Sequence, residues 1–230
     1  MKIILASFAA LVVTSGALTL SSQTSSAHAV TITAKPKQIE FIADVWADNW
    51  FALYANGKLV GEDSVPITTE RSFNAETIKF TATYPLTIGL VAKDFTQDAS
   101  GLEYIGSPRQ QIGDGGIVAQ IKEVKSGKVV TATSSTWKSF TINTAPLNPT
   151  CVTSSKPSTD CQSSTLNVPT GWNTASFKDA SWKSATQYSP QDVGVKDGYL
   201  TINWSPSAKL VWSSDLKLDN TVLLRTKVSK

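Results

Sequence analysis

Short segments in which apolar and polar residues alternate recur along most of this chain. The clearest is ADNWFALYANGKLVG (residues 47–61), where Phe51, Leu53 and Ala55 occupy every second position. A period of two indicates a half-buried strand. Asn56-Gly57 follows, and this pair readily takes positive φ at both central positions of a type I′ turn. The sequence therefore predicts a β-hairpin here.

Similar patterns predict further strands on both sides of this hairpin, because β-branched and apolar residues at alternate positions suit a pleated surface. No helix longer than one or two turns is expected. We therefore predict an all-β fold, a single antiparallel β-sandwich. The other predicted strands are residues 41–47, 77–84, 86–93, 117–124, 128–133, 139–143, 200–204, 210–212 and 221–228.

Residues 1–29 have the pattern of an export signal. Lys2 precedes an apolar run, and Ala27-His28-Ala29 forms an A-x-A cleavage site. The polar run at residues 21–26 ends the apolar stretch before the ~20 residues that a membrane span needs. We therefore expect a secreted protein without a membrane span (extracellular, or periplasmic or at the cell surface in a bacterium). Residues 30–230 would form a single sandwich domain.

Both cysteines, Cys151 and Cys161, lie in a segment rich in Thr, Ser and Pro (residues 144–171). In an exported protein they are expected to form a disulfide, which stabilises the fold by roughly 2–3 kcal/mol on the loop-entropy estimate. The segment could be an interdomain linker. However, residues 172–230 carry too few strands to bury a core alone, so we predict a disulfide-pinned crossover loop, with the later strands completing the sheets.

Three segments occur in order: ADNWFALYANGKLVG, then WNTASFKDASWKSA (172–185), then LVWSSDLKLDNTVLLRTKV (210–228). Together they resemble motifs of the galactose-binding-domain-like β-sandwiches, jelly-roll modules that accompany glycoside hydrolases such as rhamnosidases and β-galactosidases. The resemblance spans residues 41–228 and implies a jelly-roll fold with sugar binding as one of its uses. It also implies that Trp172, Phe177 and Trp182 plug the sandwich and that Asp179 caps a turn.

Charge and residue types narrow the possible chemistry. His28 is the only histidine and lies in the expected signal, so the mature chain lacks the residues for Ser-His-Asp or Cys-His catalysis and the usual zinc sets. The 21 Lys and Arg less Lys2 leave 20 against 18 acidic residues, a charge near +2 without a basic stripe. We expect no nucleic-acid partner. We also expect no enzyme, with a carboxylate-dependent glycan-processing enzyme as the lesser alternative.

Two sets of residues favour binding, because sugar recognition combines aromatic rings with polar groups that bond hydroxyls. The first set, near a strand end, is Trp46, Asp48, Asn49 and Trp50. The second, in the longest loop, is Glu103, Tyr104, Arg109 and Asp114. The competing interpretation is that the tryptophans are core and the aspartates cap turns.

From these sets we expect a non-catalytic, lectin-like module that binds a glycan or polysaccharide. The alternative is a structural or adhesion subunit that contacts another extracellular protein chain. No cofactor is expected. If an ion is bound, a structural calcium is the best candidate, because Asp98 and Asp114 lie in Gly-containing loops that could supply oxygen ligands.

Overall fold

The computed structural model describes residues 35–230, and strands dominate this part of the chain. Two helices, α1 (Pro157–Asp160) and α2 (Pro190–Val193), are each about one turn long. In chain order, the strands are β1 (Ile39–Asp48), β2 (Trp50–Ala55), β3 (Lys58–Glu62), β4 (Asn74–Ala82), β5 (Leu86–Lys93), β6 (Leu102–Glu103), β7 (Gln111–Ile112), β8 (Gly116–Glu123), β9 (Val129–Ala132), β10 (Lys138–Thr144), β11 (Ser164–Thr165), β12 (Lys183–Ser184), β13 (Thr186–Tyr188), β14 (Leu210–Trp212) and β15 (Asp219–Val228).

These strands form two antiparallel sheets and a small β6–β7 ribbon. The six-stranded sheet has the order β13-β14-β8-β1-β4, with β9 paired to β8. The seven-stranded sheet has the order β11-β10-β15-β5-β2-β3, with β12 paired to β10. The predicted all-β antiparallel sandwich is confirmed. The closing strands complete both sheets, since β14 pairs with β8 and β15 lies between β5 and β10.

Alternation along the strands fills the core between the sheets. On β1, Phe41 and Val45 are fully buried in this core, and Phe41 stacks on Phe80 of the neighbouring β4 with 5.5 Å between ring centroids. From the other sheet, Leu90 and Leu224 meet in register on β5 and β15 and are also fully buried. The faces predicted from the period-2 pattern are the faces observed.

The predicted hairpin is also confirmed. Asn56 (φ 49°) and Gly57 (φ 84°) both take positive φ, as a type I′ turn requires. The Asn56 side chain further ties the turn to the β4–β5 connection. Its Oδ1 accepts from the Thr87 N–H (2.7 Å), and its Nδ2 donates to the Thr83 carbonyl (2.9 Å).

The strand predicted at residues 200–204 is wrong. The chain there forms a 3-10 turn, Tyr199–Thr201, instead. The turn directs the Tyr199 ring edge-on to Trp46, at 5.5 Å between centroids, while the Trp204 indole N–H donates to the Tyr199 carbonyl (2.9 Å). Aromatic packing against the outer face of the six-stranded sheet replaces strand pairing in this segment.

The crossover contains the predicted disulfide between Cys151 and Cys161. The rings of Trp172, Phe177 and Trp182 do not plug the space between the sheets, however. They pack on the outer face of the seven-stranded sheet, in a cluster separate from the main core. That face carries its own apolar residues, including Val91 and Leu223, against which these rings pack.

Asp179 also differs from its expected role as a turn cap, because its carboxylate pairs with the guanidinium of Arg225. The expected export signal, residues 1–29, lies outside the described residues. Among residues 35–230, no helix is long and apolar enough to cross a membrane.

Candidate functional site

An open groove of about 680 Å³ lies on the outer face of the seven-stranded sheet. Because Phe51 and Leu53 point into the core, the alternate β2 residues Trp50, Ala52 and Tyr54 point outward and line the groove. β5, β10 and β15 also contribute to the lining, as do the loop at residues 94–99, Thr165 of β11 and Val168.

The aromatic floor has a defined geometry. Trp50 is half-buried, and the ammonium of its cross-strand neighbour Lys93 lies 4.9 Å from the ring centroid. The Tyr54 ring packs edge-on against Trp172 at 5.7 Å between centroids. Gly89 permits this contact, since a Cβ there would lie 2.9 Å from the Trp172 ring. Part of the Trp50 indole therefore remains accessible to solvent, whereas the Tyr54 ring is fixed by its contact with Trp172.

Hydroxyl, amide and carboxylate groups surround these rings. Thr96 and Thr221 line the groove, as does Asn143, whose Nδ2 donates to the Thr165 hydroxyl (2.9 Å). Asp98 also lines the groove and accepts from the Ser100 N–H (2.8 Å) and from the Ser158 hydroxyl. The groove thus combines the apolar surfaces of aromatic rings with both hydrogen-bond donors and hydrogen-bond acceptors.

Four carboxyl groups lie near one end of the sandwich, close enough for their charges to act on one another. Asp48 ends β1 and is paired in register with Gly116 at the start of β8, so Asp114 lies beside it. Asp94 follows β5, and Glu103 belongs to β6. Asp48, Asp94 and Glu103 are buried, and Asp114 is half-buried. We call these four residues the acidic cluster.

Burial and mutual repulsion shift the acidity of this cluster. Burial raises the pKa of Asp48 and of Asp94 well above their usual range, and the charges of the neighbouring carboxylates add to both effects. Burial also raises the pKa of Glu103, although the Gln111 amide, which donates to it at 2.9 Å, opposes the rise. Burial likewise raises the pKa of Asp114.

Asp94 stands out because both of its carboxylate oxygens are buried without a well-formed hydrogen bond, although the Phe95 N–H, which donates to Asn49, opposes the rise in the pKa of Asp94. Backbone approaches it closely at Gly113, where a Cβ would lie 2.5 Å from Asp94 Oδ2. The adjacent Asn49 is fully buried and well satisfied. Its Oδ1 accepts from the Phe95 N–H (2.6 Å), and its Nδ2 donates to the Glu70 carbonyl (3.2 Å).

The structure divides the residues that the sequence suggested for binding. Asp48, Glu103 and Asp114 come together in the acidic cluster, whereas Trp50 lies in the groove. Tyr104 is half-exposed under the Arg109 guanidinium, 4.2 Å from its ring centroid.

Trp46 offers no surface to a ligand. It is fully buried, stacks on Phe73, and donates its indole N–H to the Asp197 carbonyl (2.8 Å). Asp98 and Asp114, the suggested calcium ligands, belong to different environments, the groove and the acidic cluster. Within residues 35–230, no three His, Cys, Asp or Glu side chains are arranged to hold a metal ion.

No family model, curated protein or solved structure matches this chain. The candidate site therefore rests on the geometry of its own residues. Sequence reasoning missed Tyr54, Lys93 and Asp94. The alternation that assigned Phe51 to the core also assigns Tyr54 to the opposite face, so that signal was present. Asp94 is the first polar residue after the apolar β5 strand, but only the strand order brings it to Asp48.

Proposed function

We propose that this protein is an exported, non-catalytic carbohydrate-binding module and that its glycan lies in the groove over Trp50. The observation that supports this most is the half-buried indole of Trp50 in an open groove lined by hydroxyl and amide groups. Sugar rings stack their C–H faces on such indoles, and their hydroxyls bond the polar groups around them.

The shape of the groove favours a stretch of polysaccharide over a single sugar. It is open to solvent, and its lining includes both the 94–99 loop and Val168 of the crossover. A chain that enters and leaves such a groove contacts the floor with several sugar units. Lys93, beside Trp50, gives this floor a cationic group that can donate to hydroxyl or carboxylate oxygens.

Affinity electrophoresis against a panel of soluble polysaccharides tests the proposal. The natural protein should be retarded by at least one of them, and Trp50→Ala should weaken that interaction about tenfold or more, as truncation of a central aromatic anchor does. Trp204→Ala is the matched control, because Trp204 is also half-buried but lies on the other sheet. Circular dichroism confirms that each variant is folded. Retardation that persists in Trp50→Ala but is lost in Trp204→Ala would refute the assignment.

The acidic cluster is the observation that favours the lesser alternative, a carboxylate-dependent glycan-processing enzyme. Burial raises the pKa of Asp48 and of Asp94, and a carboxyl group with a raised pKa is what a general acid requires. Prolonged incubation with a retained polysaccharide, followed by a reducing-end assay, separates the two functions. Binding without release of reducing ends supports the module, and release that Asp94→Asn abolishes supports the enzyme.

A further inference from the structure

The floor of the groove contains a cation that the chain leaves without a counter-ion. Lys93 lies on β5 in register with Trp50 on one side and Thr221 on the other, and all three residues line the groove. The Lys93 ammonium lies 4.9 Å from the centroid of the Trp50 ring. Within residues 35–230, Lys93 takes part in neither of the two ion pairs. Because the contact with the ring occupies no acceptor, the ammonium donors are available to a ligand.

The carboxyl groups of the groove do not neutralise this cation. Of the described residues, Asp94 and Asp98 bring carboxyl groups to the lining. Burial opposes ionisation of Asp98, but hydrogen bonds from Ser100 and Ser158 outweigh it and lower its pKa. Asp94 is buried, and the charges that act on it come from the other members of the acidic cluster. Lys93 therefore keeps an uncompensated positive charge beside Trp50.

This arrangement favours an anionic sugar over a neutral one. The Trp50 ring can stack on the C–H face of any sugar. A carboxylate on the stacked sugar adds a charge-assisted hydrogen bond to the adjacent ammonium, which is stronger than a bond between neutral groups. Lys93 is the only basic residue among the described residues that line the groove. It therefore matches an isolated carboxylate better than the dense charge of a heavily sulfated chain.

We propose that the groove selects acidic polysaccharides built from uronic acids, and that Lys93 binds the carboxylate of the sugar unit that stacks on Trp50. This inference rests on the proposed function, because it names the class of glycan for the same groove. The opposite charge of Asp98 repels the carboxylate and so directs it towards Lys93. The hydroxyl groups of Thr96 and Thr221, which also line the groove, are left for the hydroxyls of the sugar.

Titration calorimetry at pH 7 and physiological ionic strength tests the inference with oligosaccharides of polygalacturonate, alginate and hyaluronan. Each is compared with its carboxyl-reduced form, which keeps the linkages and loses the charge. The natural protein should bind at least one acidic form about tenfold more tightly than the reduced form. Lys93→Gln should remove this preference, whereas Lys93→Arg should keep it because the charge is retained. Lys93→Met provides the same comparison if Lys93→Gln fails to fold.

Lys79→Gln is the matched control. Lys79 is exposed on β4 of the other sheet, so its replacement lowers the net charge equally and should leave the preference unchanged. A preference that persists in Lys93→Gln, or that Lys79→Gln also removes, would overturn the inference. Binding of neutral glycans through Trp50 without any preference for acidic forms would overturn it too, but would leave the proposed function intact. Absence of binding to any glycan, acidic or neutral, would refute both.

Discussion

The Arg225–Asp179 ion pair should hold the segment after the crossover, residues 172–182, onto the seven-stranded sheet. Arg225 lies on β15 with its side chain fully buried, and its guanidinium pairs with Asp179 and donates to the Thr174 carbonyl (2.9 Å). Phe177 lies against the same guanidinium at 5.3 Å. Burial lowers the pKa of Arg225. Removing Asp179 should therefore leave a buried charge without its counter-ion.

The size of this effect follows from burial. Breaking a buried ion pair by removing one partner costs about 3–5 kcal/mol. Because the Asp179 side chain is 25% exposed, we place Asp179→Ala near the lower limit, about 3 kcal/mol. Arg225→Met removes the charge and keeps much of the apolar volume. It leaves only the partly hydrated Asp179, so it should cost about 1 kcal/mol.

The decisive comparison is the double variant. With Met at position 225, no buried charge remains for Asp179 to balance, so adding Asp179→Ala should cost little more. Equilibrium urea unfolding at pH 7 measures all four proteins. The double variant should be more stable than Asp179→Ala alone. If it loses the sum of the two single losses, about 4 kcal/mol, the ion pair does not act as described.

Two further predictions concern the hairpin and the outer face of the six-stranded sheet. Asn56→Ala should lower the free energy of unfolding by about 1–3 kcal/mol in urea, because it removes two side-chain hydrogen bonds at a positive-φ position; a loss below about 0.5 kcal/mol would contradict this. Burial opposes ionisation of Asp44, but hydrogen bonds, chiefly from Gln120 and Lys122, outweigh it and lower its pKa. The stability that Asp44 contributes is thus present above the ordinary pKa of 3.8 and lost as the pH falls further. Asp44→Ala should cost about 2 kcal/mol at pH 7, and the gap to the natural protein should narrow below pH 3.8; a gap independent of pH would refute it.

Local patterns were sufficient for the strands whose two faces differ. The alternation around Phe51 and Leu90 predicted both the strands and their buried faces, because only one side meets the core. The prediction failed where tertiary contacts decide the backbone. Residues 200–204 alternate like a strand, yet Tyr199 and Trp204 pack around Trp46.

The position of Trp172 and Trp182, which follow the crossover, could not be predicted from the sequence either. Trp172 buries apolar surface equally well inside the sandwich or against Val91 and Leu223 on its outer face. The sequence did suggest Asp48 and Asp114 separately, as polar groups near strand ends. Their meeting with Asp94 depends on β1 pairing with β8 and on β2 pairing with β5, which no local pattern encodes.

The most direct test of the proposed glycan site is a titration followed by ¹H–¹⁵N correlation spectra of the indole groups. The chain has seven tryptophans, and each gives one indole N–H signal that a Trp→Phe variant assigns. On addition of a retained polysaccharide, the Trp50 signal should move furthest, while those of the fully buried Trp46 and Trp137 stay in place. Movement of the Trp204 signal with an unchanged Trp50 signal would contradict the account.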